Sequence, residues 1–131
     1  MTGMPPAVLV PIPGESVGSG GHQIIEGDNL AVLSHLGHSL TEQVKLVLID
    51  PPYNTGRCFS YRDDPATDWV EMMRPRLVLA RQLLRPDGAI IVHIDEHEQP
   101  RLSLLLDEIF GEDNRLGTII WDKLNPKGDA R

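Results

Sequence analysis

The sequence predicts an α/β fold built on a largely parallel sheet, and three observations carry that expectation. Two short apolar runs, VKLVLI (44–49) and AIIVHI (89–94), have the length and β-branched content of strands buried on both faces. Segments with helical periodicity alternate with them. Leu30, Leu33 and Leu36 share one face, as do Trp69, Met73, Leu77, Ala80 and Leu84, and then Leu102, Leu105, Leu106, Ile109 and Phe110. Turn signals separate the segments, and strands alternating with helices of this length give parallel pairing.

Residues 1–21 are rich in Pro, Gly and Ser and read as a flexible tail; residues 22–131 read as the folded part. Gln23 to Glu26 is a candidate short strand. Gly27 turns the chain, and Asp28 is placed to cap the first helix, which Gly37 and the polar stretch to Gln43 should end. After VKLVLI comes Asp50-Pro51-Pro52, where two prolines stop the strand. Residues 54–67 are a loop. Asp68 with Glu71 resembles a capping box opening the second helix, and Pro75 should kink that helix or reset its start. Arg85-Pro86-Asp87-Gly88 reads as a turn before the second strand. Pro100 lies in the first turn of the third helix, Gly111 is its natural C-terminal stop, and Leu116 to Trp121 is a candidate last strand. No internal repeat is visible.

The bulk composition excludes some classes. At 131 residues the chain is one domain or part of one. No apolar run approaches the roughly 18 residues of a membrane span, and the N-terminus lacks the basic flank of a signal peptide. The single Cys58 makes no internal disulfide, which fits a cytoplasmic setting. A net charge of −7 argues against this segment alone being a strong nucleic-acid binder, because neutralising phosphates needs clustered Lys and Arg. Arg74, Arg76, Arg81 and Arg85 on the second helix read as a solvated face. His93 and His97 in HIDEHE are split by a strand-to-helix turn, so no metal site is expected.

The chemistry-bearing feature is Asp50-Pro51-Pro52-Tyr53 at the carboxyl end of a buried strand, the edge at which open α/β sheets bind ligands. The lone pair of an exocyclic base nitrogen is delocalised into the ring. It becomes nucleophilic when acceptors grip its N–H bonds and favour the developing positive charge. Asp50 supplies a carboxylate, and Pro51 supplies a carbonyl without an N–H. Pro52 stiffens the corner, leaving little flexibility to lose. Tyr53 offers a face for an extruded base, worth about 1–3 kcal/mol in single-strand binders, and access to such a base requires flipping. The alternative is an ordinary strand-to-loop turn with a capping aspartate.

Five blocks, GDNL (27–30), LIDPPYNTG (48–56), the stretch from Trp69 to Glu98, LLLDEIFGEDN (104–114) and IIWDK (119–123), resemble in order the N-terminal half of β-class DNA N6-adenine methyltransferases. The modification (Mod) subunits of type III restriction–modification systems are the nearest kind. The resemblance implies a Rossmann-like, three-layer methyltransferase fold, incomplete in this chain, with S-adenosylmethionine as cofactor and DNA as substrate. It places Asp50, Pro51, Pro52 and Tyr53 on the catalytic tetrad. It puts Asp28, with Asn29, near the cofactor's adenine, although Asp28 is equally a helix cap. Trp121 falls in a block that helps line the target-base pocket, or else is a core tryptophan. Asp at position 50 favours adenine N6 over cytosine N4.

The chain also departs from that family. The Phe-x-Gly-x-Gly cofactor loop, expected after the catalytic block, is not found, and the glycine-rich run from Gly14 to Gly21 reads as linker. The target-recognition region is missing too. The resemblance places the strands that would neighbour Asp50's strand in that missing part, so weak or no cofactor binding is expected of the chain alone. A restriction subunit, or a C-terminal half supplying the cofactor loop, is the implied partner. Cytosine-N4 or RNA methylation remains open, as does a non-catalytic remnant or split half that assembles with a second chain.

Overall fold

The computed structural model describes residues 9, 10, 12, 21–54 and 68–122. Most of the expected tail, most of the 54–67 loop, Cys58 and the residues after Asp122 lie outside the described residues. The elements run α1 (Asn29–Leu40), β1 (Val44–Ile49), α2 (Trp69–Leu83), β2 (Leu84–Val92), α3 (Gln99–Phe110) and a 3-10 turn, Glu112–Asn114.

Each helix begins or ends where a side chain or glycine satisfies its terminal backbone groups. Asp28 Oδ1 accepts from the backbone N–H of Leu30 at 3.0 Å and of Ala31 at 3.3 Å, the expected cap. The helix runs past Gly37 to Leu40, because polar side chains take up its last carbonyls. Thr41 Oγ1 donates to Gly37 O at 2.5 Å, and Gln43 Nε2 donates to Ser39 O at 2.9 Å. Asp68 Oδ1 accepts from Val70 N at 2.9 Å and starts α2 at Trp69, so Pro75 lies inside the helix and does not reset its start. In α3, Pro100 sits in the first turn, and Gly111 adopts φ +91° while its N–H closes on Asp107 O at 2.9 Å.

β1 and β2 pair in parallel, with Val47 opposite Ile90, Leu48 opposite Ile91 and Ile49 opposite Val92. Residues 85–88, expected as a turn, form a register irregularity inside the β2 span instead: Val44 pairs with Leu84, but Leu46 pairs with Ala89. Lys45 stabilises the bulged segment by donating to Asp87 O at 2.6 Å and Asp87 Oδ2 at 2.8 Å. Gly88 is required by close approach. A Cβ there would lie 3.0 Å from Arg85 O, Leu84 Cδ2 and Val44 O.

The core lies between one sheet face and helices α2 and α3. Trp69, Met73, Leu77, Leu102, Leu105 and Ile109 form a buried cluster against Ile49, Ile90, Val92 and Ile94. An ion pair between Arg74 and Glu108 ties the two helices at their surface. The other sheet face is open: Leu46, Leu48 and Ile91 are 52%, 68% and 50% exposed. The expectation of strands buried on both faces is corrected, because among the described residues nothing packs on that side.

Two expected strands do not form. Gln23 to Glu26 and Leu116 to Trp121 are irregular, with Ile24, Leu116, Ile119 and Ile120 exposed. A strand requires a ladder partner for its backbone groups, and neither segment has one among the described residues. No described helix is long and apolar enough to cross a membrane.

Candidate active site

The sheet register builds the site. Since Ile49 pairs with Val92, the next residue of each strand, Asp50 and His93, lie side by side at the carboxyl end, and His93 N donates to Ile49 O at 2.9 Å. Tyr53 folds back over the corner. Its hydroxyl lies 2.9 Å from Asp50 Oδ1 and 2.5 Å from His93 Nδ1, while His93 Nδ1 lies 3.1 Å from the same Oδ1. The Tyr53 and His93 rings meet edge to face at a centroid distance of 5.7 Å.

Asp50 remains open to solvent, with its side chain 68% exposed. Hydrogen bonds from His93, then Tyr53, hold its carboxyl below the ordinary carboxylate range, so it is ionised at neutral pH. Both of these partners meet Oδ1. Oδ2 accepts from no group among the described residues, nor does the carbonyl of Pro51.

The corner is immobilised by more than its prolines. Pro51 is buried. Trp69, 4% exposed at the start of α2, donates its indole N–H to Pro52 O at 2.7 Å, tying the corner to the core. Asn54 adopts the left-handed conformation at φ +56°, which asparagine tolerates better than most residues. Its Nδ2 donates to Glu98 Oε1 at 2.8 Å. Glu98 is a buried carboxylate, 3% exposed, paired to Arg101 at 3.2 Å. A buried carboxylate without donors would be costly, and here Asn54 and Arg101 satisfy it.

The other expected site residues are not gathered at this corner. Asp28 uses Oδ1 for the α1 cap, and its Oδ2 lies 3.4 Å from Arg76 Nη2. Asn29 Oδ1 accepts from Arg76 Nε at 2.6 Å. Asp28 still offers a ligand the solvent-facing side of Oδ2, and Asn29 keeps its Nδ2 donors. Trp121 is 84% exposed, and no hydrogen bond or ring contact joins it to Asp50 or Tyr53. A shallow groove lined by Thr41, Glu42, Arg74, Arg81 and Glu108 lies toward the amino end of β1, away from Asp50.

No local pattern marks His93 for this role, nor Trp69, Asn54 or Glu98. One signal was present for His93: if VKLVLI and AIIVHI are adjacent parallel strands, the residues at their carboxyl ends must be neighbours. Trp69 and Glu98 carried no such signal, because they reach the corner only through the packing of α2 and the start of α3.

A family model described as DNA methylase, of the N6/N4 type, matches residues 44–131 and so spans β1, the proline corner and everything after it. The chain belongs to the DNA methylase family. It is 37% identical over 132 aligned residues to the EcoP15I Mod subunit, a type III restriction-modification enzyme of Escherichia coli, covering 76% of this chain and 20% of that protein. It is 36% identical to the EcoPI Mod subunit of Escherichia phage P1, covering 81% and 21%. With the type II methyltransferase M.KpnI of Klebsiella pneumoniae it shares 36% identity, covering 80% and 28%. The chain thus spans 20% to 28% of the length of these relatives.

Proposed function

We propose that this chain carries the amino-gripping part of a site-specific DNA methyltransferase acting on adenine N6, with S-adenosylmethionine as methyl donor. The observation that carries the proposal is the Asp50 corner. An ionised carboxylate stands at the ligand edge of the sheet, its Oδ2 and the neighbouring Pro51 carbonyl without a donor among the described residues, on a backbone anchored by Trp69 and Glu98. Asp50 Oδ2 and Pro51 O are the two acceptors for the amino N–H bonds. Their grip favours pyramidal nitrogen and the charge that grows on it, and the anchored corner meets that charge without reorganising. Tyr53 contributes its ring at the base side, with its hydroxyl committed to Asp50 and His93.

S-adenosylmethionine supplies an electrophilic methyl group. The described residues do not make up a site for it, since Asp28 Oδ1 and Asn29 Oδ1 are engaged within the chain and only Asp28 Oδ2 and Asn29 Nδ2 are left to a ligand. A cofactor role for Asp28 therefore amounts to one contact through Oδ2. The remaining contacts belong to a segment of the kind that fills out the relatives' greater length, where a glycine-rich loop and the target-recognition region are expected. The apolar face of Leu46, Leu48 and Ile91 supports a third layer covering the sheet, as in a Rossmann-like methyltransferase fold. Trp121 reaches a target-base pocket only if its exposed segment is gathered in by such added structure. The Mod relatives are named as subunits of restriction-modification enzymes, so a restriction subunit is the partner we infer.

Incubating the full-length protein with DNA and a tritiated methyl donor, followed by nucleoside analysis, tests the proposal. N6-methyladenine is expected. N4-methylcytosine would favour the second reading, which the N6/N4 scope of the family keeps open. Label incorporated by an Asp50→Ala variant at the unaltered rate would overturn the role of the corner.

A further inference from the structure

We propose that His93 is a positioning residue of the same site: its Nδ1–H steers the Asp50 carboxylate so that Oδ1 is held by Tyr53 and His93 and Oδ2 faces the target amino group. The proposal rests on Asp50 being the amino-gripping carboxylate and goes beyond it by assigning the group that sets that carboxylate's orientation.

The placement follows from the sheet. The Ile49–Val92 pairing and the His93 N to Ile49 O bond leave His93 the immediate lateral neighbour of Asp50, on a separate strand. Its position is therefore fixed by backbone, not by the corner itself. Three polar atoms meet there: Asp50 Oδ1, Tyr53 Oη and His93 Nδ1, at 2.9, 2.5 and 3.1 Å.

Counting protons decides the tautomer. Tyr53 has one hydroxyl proton. If His93 carried its proton only on Nε2, Nδ1 would be a lone pair facing the lone pairs of an ionised Asp50 at 3.1 Å. The tyrosine proton would then be divided between two acceptors. With the proton on Nδ1, the imidazole donates toward Tyr53 Oη and Asp50 Oδ1, and the tyrosine donates to Oδ1. Two protons then serve the three atoms, and no lone pair is set directly against another. Among the described residues the arrangement places two donors on one carboxylate oxygen and none on the other. An exposed aspartate would otherwise rotate freely about its terminal bond, which is broad and roughly two-fold. His93 and Tyr53 remove that freedom and leave one oxygen free as acceptor.

The test uses the full-length enzyme, three variants and saturating substrates. His93→Ala removes the donor. His93→Asn keeps an N–H donor near the place of Nδ1. Tyr53→Phe keeps the ring and removes the hydroxyl that links the two groups. His93→Ala is expected to lower kcat by about 10- to 100-fold, the effect of losing one orienting bond to a charged acceptor. The KM values for DNA and cofactor should stay within about twofold, since the bond orients rather than binds. His93→Asn should recover most of the loss. Tyr53→Phe combined with His93→Ala should be slower than either alone by less than the product of the two effects, because both act on the same oxygen.

An unchanged kcat in His93→Ala overturns the proposal. So does His93→Asn proving as slow as His93→Ala while melting like the wild type. Should His93→Ala not fold, the comparison of wild type, His93→Asn and Tyr53→Phe still decides: a slow, fully folded Asn variant refutes it. Asp50→Ala separates the two levels. If Asp50→Ala is inactive while His93→Ala is fully active, only the role of His93 fails. If Asp50→Ala is itself active, the reading of the corner fails first.

Discussion

Replacing Trp69 by Phe separates the two jobs that this residue performs. Trp69 is 4% exposed within the core cluster, and its indole N–H is bonded to Pro52 O at 2.7 Å. Phenylalanine keeps an aromatic ring in the core but cannot donate. The lost hydrogen bond costs about 1 kcal/mol, and the smaller ring leaves unfilled volume worth about 1–2 kcal/mol more. The thermal midpoint should fall accordingly. Leu77→Ala serves as the control. Leu77 is 0% exposed and touches the same cluster, so its truncation should cost about 3–5 kcal/mol. Yet it holds no part of the corner. In single-turnover methyl transfer by the full-length protein, well below either melting point, Leu77→Ala should react at nearly the wild-type rate. Trp69→Phe should be about 10- to 100-fold slower, because a released Pro52 carbonyl lets the two acceptors drift from the geometry of transfer. If Trp69→Phe reacts at the wild-type rate while melting earlier, the bond to Pro52 is packing only, and the anchoring argument is wrong. If both variants lose rate in proportion to stability, the core and the corner are not separable.

Other outcomes can be stated more briefly. Gly88→Ala should destabilise by about 1–3 kcal/mol, because its Cβ would meet three atoms at 3.0 Å, two of them backbone oxygens; chemical denaturation checks this. Asp50 titrates below its ordinary value, so its contribution to stability is full above the unfolded carboxyl pKa and is lost only as pH falls through the lower, folded one. In His93→Ala the Asp50 carboxyl, followed by carbon NMR, should therefore titrate at a higher pH than in the wild type. Asp28→Ala should lower stability by about 0.5–2 kcal/mol through loss of the cap, and Asp28→Ser should restore it. Cofactor affinity that returns with serine would show that Asp28 acts only as a cap, whereas affinity that stays lost would assign it a ligand contact.

Local chemistry made much of this chain legible from sequence. Asp28 and Asp68 each present a carboxylate to the first free N–H groups of a helix, and Gly111 takes a backbone conformation that most residues avoid. These depend on a few neighbouring residues. The apolar periodicity of α2 marked Trp69, Met73, Leu77 and Ala80 as core, and all four are buried. Where the outcome needed a partner distant in the chain, local pattern was a poor guide. Ile24 and the run from Leu116 to Trp121 have strand composition but no ladder to join among the described residues. The bulge at 85–88 looked like a free turn because nothing local shows that Lys45 will bond to Asp87 across the sheet.

Legible in the sequence were β1, residues 89–92 of β2, the three amphipathic helices and the proline corner that places Asp50 beyond the end of β1. Each is set by contacts within a few residues or by a repeating apolar period, whereas Leu84, which shares the helical period, is the first residue of β2. How that corner is held and oriented depends on contacts between residues far apart in the chain. The parallel register brings His93 beside Asp50 across 43 positions, α2 delivers the Trp69 N–H to Pro52 across 17, and α3 offers the buried Glu98 to Asn54 across 44. A hydrogen bond between distant residues exists only after core packing has fixed both ends, and no local propensity encodes that distance.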